Sequence, residues 1–233
     1  MAGPVRLVDV SETAMMLYLA EVIDVALAPV IGRIIHRIES ECSDVLEITP
    51  SYTSILVETS ATGDALQHTR NILLEIACEE LNRPVSQQHV PSGKLIELPV
   101  YYHPDVGPDL QLLADHAMLT VDEVIAIHSG RDYTVCAIGF APGFAFLAEV
   151  DERIAMPRHQ RPRMQVPAGS VGIADRQTAV YPNASPGGWN LLGSCPEQLY
   201  NPGNTPTCPF EIGDRVRFVP IDRDTYMERG GRA

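Results

Sequence analysis

The feature that most constrains the fold is the stretch from Val166 to Asn190, "VPAGSVGIADRQTAVYPNASPGGWN". Its apolar runs are too short for helices, and the glycines and prolines between them are typical of tight turns. The segments "RDYTVCAIGF" before it and "DRVRFVPI" after it add further strand-like runs. Many short strands joined by Gly/Pro turns predict a closed or nearly closed β-barrel.

The residues before this region alternate between strand and helix patterns. "VRLVDV" and "TAMMLYLA" predict strands, and "VLEITPSYTSILVET" predicts two more around a turn. Two amphipathic helices are predicted, with Pro29 in the first turn of one and Asp64 as the cap of the other, at "VALAPVIGRIIHRIES" and "GDALQHTRNILLEIACEELN". This combination predicts a small α+β sandwich, with both helices on one face of an antiparallel sheet.

A polar segment broken by prolines, Asn82–Gly93, separates the two patterns and indicates a domain boundary. We therefore predict an α+β protein with an N-terminal α+β domain over residues 1–88 and a barrel domain, carrying the candidate site, over residues 89–233. The barrel domain begins with a strand, "KLIELPVYY", and two short helices, "GPDLQLLADHAML" and "TVDEVIAIHSG". Asp109 is the predicted cap of the first helix, and Thr120 with Glu123 forms a capping box in the second. Residues Thr225–Ala233 are predicted to be frayed.

Charge and cysteine content exclude several classes of function. A net charge of −13 argues against binding to nucleic acid or to an anionic membrane, both of which need a basic face. The five cysteines are odd in number and include no C-x-x-C pair, which favours free thiols in a reducing compartment and no zinc site. Without a signal pattern or an apolar run long enough to cross a bilayer, we expect a cytoplasmic protein.

The candidate site lies between Phe140 and Gly193. Arg158, Arg161 and Arg163 are clustered, and an arginine fork pairs well with carboxylate or phosphate. The glycines let backbone N–H groups approach a ligand. Neutral hydrogen-bonding groups and apolar walls complete the set: Ser170, Gln177, Thr178, Tyr181, Phe144 and Trp189. The pattern fits a small anionic ligand. It equally fits barrel corners built from Gly and Pro, with arginines paired to some of the chain's carboxylates.

Two further residues could carry chemistry. His128, in "HSGRDYTV", could move a proton near neutral pH, or could complement the dipole at a helix C-terminus. Ser170, in "AGSVG", does not match a hydrolase nucleophile, which requires G-x-S-x-G between a strand and a helix. His159, surrounded by arginines, is expected to be a surface residue.

Several stretches match one known family in order. "GFAPGFAFL", "PRHQRPRMQVPAGSVGIADRQTAVYP", "SPGGWNLLG" and "GDRVRF" resemble the B subunit of 5-oxoprolinase, a family also known as allophanate hydrolase subunit 1 or the KipI-type kinase inhibitor. "SETAMMLYL", "PSYTSILV", "ELPVYY" and "GPDLQLLA" fit it as well, so the resemblance covers nearly the whole chain. It implies a cyclophilin-like barrel and a complex with the A and C subunits that hydrolyses 5-oxo-L-proline to L-glutamate with ATP cleavage. Relatives in urea breakdown, and one that inhibits a sensor histidine kinase, imply two alternative functions.

The resemblance also implies roles for individual residues. The implied catalytic residues are His128, Tyr133, Arg158 and Arg163. The implied substrate-binding residues are Phe140, Phe144, Ser170, Gln177, Thr178, Tyr181 and Trp189. The only lysine, Lys94, does not lie in a phosphate-binding loop, so ATP is expected to be shared with a partner protein or held by it alone. Phe146 and Ala179 depart from the family pattern, which usually has tyrosine and glycine there.

Overall fold

A computed structural model describes residues 5–83 and 93–232 of the chain. It divides into two compact units: Met1–Gly93 with Glu211–Gly213, and Lys94–Phe210 with Asp214–Ala233. The predicted domain boundary between residues 88 and 89 lies outside the described residues.

Among its described residues, the first unit is a four-stranded antiparallel sheet with two helices. Its strands are β1 (Arg6–Asp9), β2 (Ala14–Tyr18), β3 (Val45–Pro50) and β4 (Ser54–Thr59), in the order β1-β2-β4-β3. Its helices are α1 (Ala28–Glu41), which follows a short 3₁₀ turn at Val25–Leu27, and α2 (Gly63–Asn82). Alternate residues of β2 and β4, such as Leu17 and Ile55, form one buried cluster with Ile34 of α1 and Leu73 of α2. The helices therefore cover one face of the sheet, and the predicted sandwich is confirmed.

Local sequence explains where these helices begin. Pro29 occupies the first turn of α1, where a missing N–H costs nothing. α2 begins after Thr62, at Gly63, whose positive φ of 56° is strained for other residues. The prediction that Asp64 caps α2 is wrong by two positions: Asp64 lies in the first turn, where its charge favours the positive end of the helix dipole.

The second unit is built on a seven-stranded sheet. Its strands, with the two-stranded ribbon of β8 and β11, are β5 (Leu95–Val100), β6 (Asp132–Ile138), β7 (Ala145–Ala148), β8 (Arg163–Val166), β9 (Ser170–Ala174), β10 (Gln177–Val180), β11 (Ser185–Gly187), β12 (Asn190–Ser194) and β13 (Arg215–Pro220). The main order is β12-β9-β10-β7-β6-β13-β5. Tyr101, after β5, exchanges hydrogen bonds of 2.9 and 3.0 Å with Ser194 of β12. This bridge joins the two edge strands, so the sheet is a nearly closed barrel, as predicted.

Three helices and a 3₁₀ turn complete the second unit. They are α3 (Leu110–Ala117), α4 (Val121–Ser129), the 3₁₀ turn Glu152–Ile154 and α5 (Arg223–Glu228). The capping box of Thr120 and Glu123 at α4 is present, as predicted. The prediction that the chain frays from Thr225 is wrong, because the Asp222 side chain caps α5 at 2.8 Å and Tyr226 is buried. In the described ranges, none of the helices combines the length and the apolar character that a bilayer span requires.

Candidate functional site

The second unit contains a cleft of about 830 Å³. The loop before α3, the β8–β9 and β10–β11 turns, the end of β12 and the segment after α5 form its walls. Polar residues from all of these walls face the cavity: Asp105, Arg163, Gln165, Ser170, Asn183, Ser194, Glu197, Gln198, Tyr226 and Arg232. Of the predicted site residues, Arg163 and Ser170 therefore line the cleft.

Arg163, the first residue of β8, is held by two partners. Its Nη2 donates to Asp109 Oδ1 at 2.7 Å, and its Nη1 donates to the Trp189 carbonyl at 3.3 Å. The second carboxylate oxygen of Asp109 accepts from the backbone N–H of Leu191 at 2.7 Å. Asp109 is therefore a bridge between α3, β8 and β12. Its predicted role as a capping side chain is wrong, because no cap bond forms although it occupies the N-cap position.

His159 joins the same group, contrary to the prediction that it is a surface residue. Its backbone N–H donates to the Gly188 carbonyl at 2.7 Å, and its side chain is 27% exposed. Its Nε2 lies 3.4 Å from Asp109 Oδ2, and that nitrogen is buried without a hydrogen bond. Asp109, His159 and Arg163 thus form a polar cluster at the edge of the cleft. Sequence reasoning missed two of its three members.

His128 lies inside the barrel rather than in the cleft. Its hydrogen bonds determine which ring nitrogen carries the proton. Thr178 Oγ1 donates to the Gly172 carbonyl at 3.0 Å, so it can only accept the 2.9 Å bond from His128 Nε2–H. His128 Nδ1 then accepts from the Tyr102 hydroxyl at 2.7 Å. The ring is therefore a neutral, fully bonded imidazole, and it stacks on Phe218 with centroids 4.6 Å apart.

Tyr133 belongs to the same interior network. Its hydroxyl donates to the backbone carbonyl of His128 at 2.8 Å, and burial raises the pKa of Tyr133 above its usual range. Both residues are fully buried. His128, Tyr133 and Thr178 thus lie in the barrel core and do not line the cleft.

Acid titration should reveal the buried imidazole. Burial lowers the pKa of His128 from 6.5 to about 3. In the unfolded chain His128 therefore takes up a proton near pH 6.5, whereas in the folded chain it stays neutral at that pH. The free energy of unfolding falls as the pH drops below 6.5. We expect the second unit to lose about 2 kcal/mol between pH 7 and pH 5 from this group. Urea unfolding followed by the fluorescence of Trp189, the single tryptophan, measures the loss.

The matched variants for this titration are His128→Gln and His116→Gln, the latter exposed on α3. His128→Gln should flatten the pH dependence, whereas His116→Gln should leave it as in the wild type. Equal slopes in all three proteins would show that folding does not lower the pKa of His128.

The predicted aromatic walls form a separate cluster. Phe144, Tyr181 and Trp189 are buried together, with Phe144 edge-on to both other rings at 5.3 and 5.6 Å. Burial raises the pKa of Tyr181, and a hydrogen bond from the Trp189 backbone and the charges of Arg158 and Arg163 partly oppose the rise. The positive charges of Arg158 and Arg163 thus both lower the pKa of Tyr181. Gln177, half-buried in β10, pairs with β7 and β9 and does not line the cleft.

Phe140 is the exposed end of this aromatic cluster. It is 67% exposed, has a positive φ of 70°, and packs edge-on against Phe144 at 5.3 Å. A bulky residue in the left-handed region is uncommon and stores strain.

Within the described residues, no group of three or more His, Cys, Asp or Glu side chains could hold a metal ion.

Comparison with known proteins identifies the family of this chain. Residues 5–210 match the model of the carboxyltransferase domain, subdomain C and D. The chain belongs to this family. It is 37% identical to the 5-oxoprolinase B subunit of Escherichia coli O157:H7 over 213 residues, which is 91% of this chain and 94% of the relative. It is 43% identical to the 5-oxoprolinase B subunit of Bacillus subtilis (strain 168) over 148 residues, which is 64% of this chain and 62% of the relative.

Solved structures show the same fold. A crystal structure of TTHA0988 superposes with a TM-score of 0.72 at 32% identity, covering 90% of this chain and 40% of that one. The Kluyveromyces lactis urea carboxylase superposes with a TM-score of 0.70 at 18% identity, covering 98% of this chain and 23% of that one. The chain thus spans less than two thirds of the Bacillus relative and of both solved chains. The predicted resemblance to the 5-oxoprolinase B subunit is confirmed.

Proposed function

We propose that the chain is a subunit of an ATP-dependent 5-oxoprolinase, which acts with the A and C subunits to hydrolyse 5-oxo-L-proline to L-glutamate. The observation that carries the proposal is the match of 91% of this chain to 94% of the Escherichia coli 5-oxoprolinase B subunit. The free thiols of the described cysteines support a cytoplasmic location.

The cleft offers chemistry that suits a small carboxylate with an amide. Arg163 supplies a positive charge that Asp109 and the Trp189 carbonyl hold in place. A preorganised charge stabilises an anion that develops during reaction, because no rearrangement is needed when it forms. Gln165, Ser170, Asn183 and Gln198 supply neutral hydrogen-bonding groups for the ring amide. With these groups, the cleft could bind and position an anionic substrate.

Opening a lactam at neutral pH requires activation of the amide, and ATP would supply it by phosphoryl transfer. We place ATP on a partner protein or in a site shared with one, because the sequence lacks a phosphate-binding loop around Lys94. Arg158, near the aromatic cluster, is an exposed cation that such a shared site could use. Activity of the chain by itself is expected to be small.

The fold favours a second candidate function. The Kluyveromyces lactis urea carboxylase contains the same fold, so a subunit acting in urea or allophanate breakdown is the alternative. A biotin carrier would have to be on another chain, because the sequence has no Met-Lys pair.

Reconstitution separates the two candidates. The purified chain is mixed with candidate A and C subunits, and ADP release is measured with and without 5-oxo-L-proline. Substrate-dependent ADP release that needs all the chains supports the oxoprolinase. A stable complex without stimulation by 5-oxo-L-proline contradicts it and favours the urea-linked function or the inhibition of a sensor kinase.

A further inference from the structure

One wall of the cleft comes from a segment beyond the residues that match the family model. The match ends at residue 210, whereas Tyr226, Gly230, Gly231 and Arg232 line the cleft. This wall therefore lies outside the matched region. It contributes Arg232, so that the cleft contains two arginines, Arg163 and Arg232.

A buried hydroxyl fixes the segment in place. The Tyr226 hydroxyl donates to the Arg232 carbonyl at 3.0 Å, because a carbonyl can only accept. The same oxygen accepts the Arg232 backbone N–H at 3.1 Å and lies 2.9 Å from Ser194 Oγ, which must then donate. Tyr226 is fully buried and stacks on Tyr101 with centroids 5.2 Å apart. Two backbone atoms of Arg232 thus bond to the Tyr226 hydroxyl, which in turn contacts Ser194 of β12.

Two glycines make this return of the chain possible. Gly230 has a positive φ of 88°, which only glycine adopts without strain. A Cβ on Gly231 would lie 2.4 Å from the Tyr226 ring, so no larger residue fits against it. The segment is therefore a close-packed turn.

Charge balance singles out Arg232 among the charged residues of the cleft. Arg163 pairs with Asp109 at 2.7 Å, and Glu197 pairs with Arg229 at 3.1 Å. The Oδ2 atom of Asp105 lies 3.2 Å from Nδ1 of His103. In the described part of the chain, no carboxylate lies within 4.0 Å of the Arg232 guanidinium. Its charge has no counterion there, and an arginine fork binds a carboxylate well.

We propose that Arg232 binds the carboxylate of a small carboxylate-bearing amide in the cleft, and that Tyr226 is the residue that positions it. Arg163 lies on another wall of the same cavity and binds a second polar group of the ligand. The identification of this ligand with 5-oxo-L-proline rests on the proposed function. The binding of a small carboxylate by Arg232 does not.

Calorimetric titration of the full chain tests the proposal with two probes, 5-oxo-L-proline and 2-pyrrolidinone, the same ring without the carboxylate. Arg232→Gln should weaken binding of 5-oxo-L-proline by about tenfold or more, the usual effect of losing a charged hydrogen-bond partner. Binding of 2-pyrrolidinone should not change. Tyr226→Phe should weaken 5-oxo-L-proline binding in the same direction, and Arg232→Lys should restore part of it.

Arg223→Gln is the matched control, because it removes the same charge from the exposed start of α5 outside the cleft. Equal affinities for Arg232→Gln and Arg223→Gln would overturn the proposal. The KM for 5-oxo-L-proline in the reconstituted complex is the second readout. An unchanged KM in an active complex carrying Arg232→Gln would also overturn it, while leaving the proposed function intact.

A further pair of outcomes separates ligand binding by Arg232 from the proposed 5-oxoprolinase activity. Arg232-dependent binding of 5-oxo-L-proline or of L-glutamate, with no ADP release by the full set of subunits, keeps this inference and rejects the oxoprolinase. Failure of the wild-type chain and of the complex to bind either carboxylate rejects the inference.

Discussion

Replacing Arg163 by alanine is expected to lower substrate-dependent ADP release of the reconstituted complex by about 100-fold or more. The variant removes the positive charge that Asp109 holds at 2.7 Å beside the cleft. Arg163→Lys should not restore turnover, because one ammonium group cannot reach both the Asp109 carboxylate and the Trp189 carbonyl as the planar fork does. Turnover and the thermal unfolding midpoint are measured on each variant.

Loss of activity must be separated from loss of structure. Arg163→Ala leaves the nearly buried Asp109 carboxylate without its cation, and an unpaired buried charge is destabilising. The double variant Arg163→Gln with Asp109→Asn removes both charges and should recover stability but not turnover. Arg176→Ala is the control, since this exposed arginine pairs with Glu149 and Glu152 away from the cleft. Normal turnover of Arg163→Ala would remove Arg163 from the proposed site.

Local patterns predicted the fold well where the physical cause is local. The spacing of Ile31, Ile34 and Ile38 gives α1 one apolar face, and that face is buried in the structure. Thr120 and Glu123 are three residues apart, so their capping box is visible in the sequence alone. Glycines and prolines between short apolar runs marked the barrel strands because turn geometry depends on the same few residues.

Long-range partners were not predictable in the same way. Asp109 precedes a helix, which suggests a cap, yet its partners Arg163 and Leu191 are 54 and 82 residues away in the chain. The histidine next to a helix end resembled an acid–base group, but only the barrel closure shows that His128 bonds Thr178, 50 residues later. A single sequence records that a polar residue is present and does not record which polar residue it will meet.

Removing the buried carboxylate of Glu80 is expected to be among the most destabilising single changes in the first unit. The Glu80 side chain is 0% exposed, on the inner side of α2. Its carboxylate accepts from Arg33 Nε at 2.8 Å, lies 3.5 Å from Arg37 Nη1, and pairs closely with Arg83. Glu80→Gln removes the carboxylate from the partly buried Arg33 and from Arg83, while Arg37 keeps Glu41 and Glu79. Losing these charged hydrogen bonds costs about 1–3 kcal/mol.

The sign of the pH dependence follows from the same contacts. Burial raises the pKa of Glu80, but the hydrogen bond from Arg33 and the charge of Arg83 outweigh it, so the pKa lies below its usual value of 4.5. Ionised Glu80 therefore contributes stability above about pH 4.5, and that contribution disappears as the pH falls through the lowered pKa. The wild-type first unit should lose stability over this acid range, and Glu80→Gln should lose less over the same range.

Hydrogen exchange resolved by peptide measures the effect in each unit separately, because unfolding of a two-unit chain need not be two-state. Amides of α1 and α2 should exchange faster in Glu80→Gln, while those of α4 in the second unit serve as the internal reference. Glu79→Gln is the matched control: Glu79 is 55% exposed and pairs with Arg37 alone among these arginines, so its loss costs about 0–1 kcal/mol. Equal protection in the two variants would mean that the arginine cluster around Glu80 adds no net stability. The apolar contacts of Ile34, Ile38 and Leu73 would then hold the two helices on the sheet.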